Sequence, residues 1–177
     1  MRLAVFAAAA TAASLGIATP AFSQEVFAGV YAHGVETPLT FETNEGGTDL
    51  QLGYRFAPVG SLLEIEPYII GSLNTDGDTS FVGVGVSRKF DLGPIYVRPG
   101  VGVVVHDGPD LRFDPATGDR TDLGSRVLFE PEIAVGTRLI GNLSVEASWV
   151  HISHAQIFNG EQNPGIDMMG VRVNLGF

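Results

Sequence analysis

Near its C-terminal end the sequence reads Val145-Glu146-Ala147-Ser148-Trp149-Val150-His151-Ile152-Ser153-His154-Ala155, and a little further on Gly165-Ile166-Asp167. A hydroxyl, an imidazole and a carboxylate are the parts of an ester-cleaving machine. Serine attacks the carbonyl carbon, histidine takes its proton and later gives it to the leaving alcohol, and aspartate holds the imidazole tautomer and stabilises its positive form. An isolated H-x-S is common, so the elements that carry it must do the selecting. In an extended strand alternate side chains share a face, which puts His151 and Ser153 one pleat apart on the face of Val145, Ala147 and Trp149. Asp167 shares its face with Met169, Val171 and Val173. If these two segments are neighbouring antiparallel strands, the three polar groups meet near the loop that joins them.

The rest of the chain supports strands. Gly and Pro recur every few residues, helical periodicity is almost absent, and apolar residues alternate with period two. The pattern predicts eight strands, at 25–34, 47–57, 62–73, 79–90, 94–106, 124–139, 142–154 and 165–177. Short connections at 58–61, 91–93 and 140–141 alternate with longer ones at 35–46, 74–78, 107–123 and 155–164. Tight turns on one rim and longer loops on the other belong to an all-β, eight-stranded antiparallel up-and-down transmembrane β-barrel. Nothing repeats in the solenoid manner, and no linker divides the chain.

Each strand has an apolar and a polar face. Strand 94–106 shows Ile95, Val97, Pro99, Val101, Val103 and Val105 on one parity, with Tyr96, Arg98, Gly100, Gly102 and His106 on the other. Strand 124–139 sets Val127, Phe129, Ile133 and Val135 against Arg126, Glu130, Glu132 and Arg138. Periodicity alone does not say which face is inside, and a soluble barrel or sandwich would reverse the assignment. The terminal Phe177 resembles the aromatic ending of outer-membrane barrels and favours apolar-out. Glu64, Glu66, Glu130, Glu132 and Glu146 are then expected in the lumen, paired with Arg55, Arg98 and Arg172, because buried charges need partners. Gly83-Val84-Gly85 and Gly100-Val101-Gly102 are packing positions, since no helix follows to make them phosphate loops.

Composition narrows the partners. The 177 residues include no Cys, 23 Gly, 45% hydrophobic and 17% charged side chains, and a formal net charge of −10. Without cysteine there is no thiol nucleophile or disulfide framework, and so acidic a chain is a poor match for nucleic acid. Residues 1–23, with Arg2, an Ala-rich apolar stretch and Ala21 and Ser23 in A-x-S arrangement, read as a secretory signal peptide, which leaves 24–177 as the barrel domain. Asp107, Asp110, Asp114, Asp119 and Asp122 crowd the longest loop but lack the ligand ladder of a calcium site. A solvated loop is the expectation there. A two-His metal site at His33 and His106 is not expected unless carboxylates join them, and no cofactor is implied.

Ionisable groups on an apolar, lipid-facing surface are costly and therefore candidates for function. The bland alternative is that His151, Ser153 and Asp167 mark where the strands leave hydrocarbon for the headgroup zone. At this point the residues resemble a family. His151-Ile152-Ser153-His154-Ala155, followed by Asn163-Pro164-Gly165-Ile166-Asp167, is similar to the H-x-S-N-A and N-x-G-x-E pattern of the lipid A 3-O-deacylase (PagL-type) family, most clearly over 147–177. The resemblance implies an outer-membrane barrel that removes the ester-linked 3-position acyl chain from lipid A of lipopolysaccharide without a metal. It implies Ser153 as nucleophile, His151 as general base, Asp167 as orienting acid and Asn163 as an oxyanion candidate. His154 stands where the family has Asn and is a second oxyanion candidate; Asp167 stands where it has Glu. Expected partners are lipid A and outer-membrane lipid, with a homodimer open. The competing reading is a non-catalytic small outer-membrane barrel with a structural or adhesive role.

Overall fold

The computed structural model describes residues 24–38, 45–60, 62–108, 123–155, 157 and 165–177. The expected leader at 1–23, the oxyanion candidate Asn163, and Asp110, Asp114, Asp119 and Asp122 lie outside the described residues. The strands are β1 (Glu25–His33), β2 (Thr48–Arg55), β3 (Glu66–Asn74), β4 (Phe81–Ser87), β5 (Phe90–Asp91), β6 (Ile95–His106), β7 (Val127–Ile140), β8 (Leu143–Ser153) and β9 (Gly165–Gly176). All pairings are antiparallel; β1 pairs with β9 and β4 with β6, which closes the sheet. The two-residue β5 continues the β4 edge along β6 beyond Arg88 and Lys89, so the two form one stave and the barrel has eight.

Exposure settles which face is inside. Along β6, Tyr96, Arg98, Val104 and His106 are buried, whereas Ile95, Val101, Val103 and Val105 are exposed. The same split runs through β2 and β9, with Leu50, Leu52, Val171, Val173 and Leu175 outward. An apolar exterior around a polar interior suits a membrane and is the reverse of a soluble barrel.

The interior is filled rather than open. Arg172 donates through Nη1 and Nη2 to Glu132 at 2.7 and 3.2 Å and through Nε to Glu146 at 2.5 Å. Arg98 reaches Glu146 at 2.8 Å and Glu25 at 2.9 Å, and Arg55 lies 3.4 Å from Glu132. Each arginine is flanked by carboxylates, the arrangement a buried charge requires. Inward glycines make room for rings: a Cβ on Gly170 would sit 2.5 Å from Cγ of Tyr31, and one on Gly136 2.5 Å from Cζ of Tyr96.

Three expectations are corrected. Glu64 is exposed and outside the lumen, because β3 begins only at Glu66; Gly60 (φ 78°) and Glu64 (φ 47°) turn the chain back on itself, closed by the Val59–Ile65 bridge, and strand parity does not carry through such a turn. Glu130 takes the hydroxyl of Tyr68 rather than an arginine. Glu25, at the first residue of β1, joins the ion-pair layer instead. The connection between β2 and β3 is accordingly longer than expected.

The first and last of the described residues meet on one rim, where Phe177 N–H donates to Gln24 O at 3.0 Å. That rim also carries the 141–142 turn, and the β1–β2, β3–β4, β6–β7 and β8–β9 connections all fall on the other. Barrels of this architecture in the outer membrane carry short turns on the periplasmic rim and longer loops on the outer one; the rim of these four connections is termed the outer rim.

Candidate active site on the outer wall

β8 and β9 are neighbours along their full length, and their register sets the site: His151 pairs with Asp167, and Ser153 with Gly165. His151, Ser153 and Asp167 have the outward parity of Ala147, Val171 and Val173, at the last turn of strand before the outer rim. All three expected residues therefore come together on one patch of the exterior wall. Yet they are buried, Asp167 completely. An outward carboxylate can be hidden there only because donors cover it.

Those donors are specific. Nδ1 of His151 lies 2.7 Å from Oδ1 of Asp167, and Nε1 of Trp149 donates to the same oxygen at 2.9 Å. The hydroxyl of Thr37 donates to Oδ2. A carboxylate only accepts, so Nδ1 carries a proton, and in the neutral ring this leaves the lone pair on Nε2, the tautomer that can act as a base. The Trp149 and His151 rings lie with centroids 6.0 Å apart.

The lean of the imidazole is fixed by a missing side chain. A Cβ on Gly165 would fall 2.6 Å from Cε1 and 3.0 Å from Nε2 of His151, and 3.0 Å from the backbone oxygen of Ile152. The Nε2 edge thus lies over Gly165, directly across from Ser153, and the ring can reach the serine's end of the hairpin only because residue 165 has no side chain. Gly165→Ala is expected to push the ring aside and lower turnover about 10²-fold, the cost of a displacement on the order of 1 Å. Electrophoretic migration of the folded barrel should not change. Wild-type turnover in this variant would show that the ring does not need that space.

β8 ends in a tight turn in which Ile157 N–H donates to His154 O at 3.0 Å and Ala155 has φ 52°. His154 follows the inward parity of Ile152 and is fully buried, and neither ring nitrogen has a partner among the described residues. It is on the opposite parity from Ser153. His33 is held by Asp49 at 2.9 Å and Glu45 at 2.8 Å, and His106 by Ser125 O at 2.7 Å. Among the described residues no group of three or more His, Asp or Glu is arranged to hold a metal ion. Thr37 had no signal in the sequence, since it lies 130 residues from the acid it contacts. Gly165 was visible only as a letter of a motif.

A family model described as Lipid A 3-O-deacylase (PagL) matches residues 29–175. Among solved structures, the outer membrane enzyme PagL is 19% identical, with a TM-score of 0.61 over 86% of this chain and 99% of that one. A de novo designed transmembrane β-barrel is 12% identical, with a TM-score of 0.52 over 87% and 96% of the two chains. Neisserial surface protein A is also 12% identical, with a TM-score of 0.52 over 88% and 97%. At these identities structural likeness carries the fold alone. None of the curated proteins searched matches the sequence.

Proposed function

The chain belongs to the lipid A 3-O-deacylase (PagL) family of outer-membrane ester hydrolases, and from that membership we propose that it cleaves its ester with Ser153, His151 and Asp167. The observation that carries this assignment is the 2.7 Å His151–Asp167 pair, buried on the lipid-facing side of the wall with Ser153 one pleat away.

Nε2 of His151 takes the proton from Ser153 Oγ as that oxygen attacks the ester carbonyl carbon. Asp167 holds the ring by Nδ1 and stabilises the imidazolium that forms. Asn163 is the candidate donor to the developing oxyanion, an interaction whose loss costs about 10²–10³ in rate in comparable sites; His154, buried on the inward parity away from Ser153, is not retained in that role. Collapse of the tetrahedral intermediate breaks the bond to the sugar oxygen, which leaves with the proton from His151. Water, deprotonated by the same nitrogen, then frees the acyl chain from Ser153.

The position suits the substrate. Lipid A lies in the outer leaflet, so a site on the outside of the barrel just below the outer rim is reached sideways. The acyl chain stays against apolar neighbours such as Trp149 and Met169 while the ester meets Ser153. Export would follow from residues 1–23. One copy suffices, because all three groups come from a single hairpin, and a homodimer is no part of the proposal.

The test is direct. Purified barrel incubated with lipopolysaccharide in detergent micelles should reduce the lipid A mass by one ester-linked hydroxy fatty acid, read by mass spectrometry. An unchanged mass with folded protein would instead favour a structural or adhesive barrel.

A further inference from the structure

Asp167 is the shortest carboxylate that could serve His151, and it sits on the side of the wall where nothing but donors can stabilise its charge. Its Oδ1 already accepts from His151 and Trp149. Oδ2 accepts from Thr37, which belongs to a different part of the chain, the segment that follows β1. Gly34 (φ 66°) turns that segment off the line of β1, and Val35 N–H donates to Asp167 O at 2.9 Å, so the loop is stitched to the backbone of the acid before Thr37 reaches its side chain.

We infer that Thr37 is a positioning residue for the deacylation: its hydroxyl fixes the carboxylate of Asp167, and through it the tautomer and tilt of the His151 ring. The inference rests on the roles proposed above for His151 and Asp167. The terminal torsion of an aspartate is broad and roughly two-fold, so two donors on one oxygen leave the carboxylate free to rock about its Cβ–Cγ bond. A donor on the second oxygen, from a loop anchored to the same residue's backbone, removes that freedom. It also gives the first outer loop a part in the chemistry of a hairpin far from it in sequence. The role is one of positioning, exerted through the carboxylate of Asp167.

Kinetics of Thr37→Val, which keeps shape and loses the donor, and Thr37→Ser, which keeps the donor, test this on lipopolysaccharide micelles. Thr37→Val is expected to lower kcat about tenfold with KM within about twofold, and Thr37→Ser to stay within about threefold of wild type, since misorientation of a general base costs turnover rather than binding. In an Asp167→Asn background Thr37→Val should add less than about twofold, because its effect passes through that carboxylate. Wild-type kcat in Thr37→Val, equal losses in the Val and Ser variants, or a full tenfold loss on top of Asp167→Asn would each overturn the inference. Ser153→Ala separates the two levels. If it is inactive while Thr37→Val is unimpaired, only the Thr37 role fails; if it keeps wild-type activity, the proposed machinery itself fails. The Thr37 contact is then still read by the imidazole Nδ1–H proton resonance of His151, assigned by its loss in His151→Asn. That signal should persist in Thr37→Ser and broaden away in Thr37→Val, and an unchanged signal in Thr37→Val would overturn the inference without any turnover being measured.

Discussion

Ser153→Ala is expected to lower the rate of fatty-acid release by about 10³–10⁶-fold, leaving a barrel that folds and still binds lipopolysaccharide. The size follows from the role: no neighbouring group replaces an attacking oxygen, whereas an orienting acid can be partly replaced. Asp167→Ala should therefore hurt less, by roughly tenfold or more, because Nδ1 of His151 keeps its ring on the wall and can donate to water. Mass spectrometry of lipid A over a time course measures both. Equal residual rates above background would leave the proposed division of labour unsupported, and appreciable activity in Ser153→Ala would assign the attack to another group.

The second large effect is on stability. Arg172 is fully buried and answers two carboxylates, Glu132 through both terminal nitrogens and Glu146 through Nε. Arg172→Met keeps much of the volume and strands those charges in the lumen, with Arg55 and Arg98 the remaining arginines paired with them among the described residues. Breaking one side of such a network costs about 3–5 kcal/mol. Lys89, partly exposed at the other rim and 3.8 Å from Glu25, is the contrasting case, where Lys89→Met should cost less than about 1 kcal/mol. Denaturant unfolding in detergent or bilayers, followed by the migration difference between folded and unfolded forms, reads both variants. A loss below about 1 kcal/mol for Arg172→Met would mean that the remaining arginines re-pair the two acids.

The candidate residues were legible because strand parity is a local property. Once 142–154 and 165–177 are read as a hairpin with their apolar parities on one side, His151, Ser153 and Asp167 share that side, and the observed register puts His151 opposite Asp167. Glu64 shows where such reasoning stops: two residues with positive φ reverse the chain, and counting by twos through them assigns an exposed turn residue to the lumen. Glu130 shows a second limit, since parity sends it inward but says nothing of whether an arginine or Tyr68 will be its neighbour.

From its residues alone the chain carried an all-β architecture, the number of staves, the two faces of each strand and the three candidate groups proposed to act on an ester, all read through the two-residue repeat of extended backbone. That repeat is symmetric, so it could not say which face was turned outward. Closure of β4 onto β6 and β1 onto β9 decided it, because the narrow interior has room only for rings set against glycines and for charges answered by charges. The contact of Thr37 with Asp167 belongs to the same class of fact: it joins residues that are distant along the chain, and only the closed sheet brings them together.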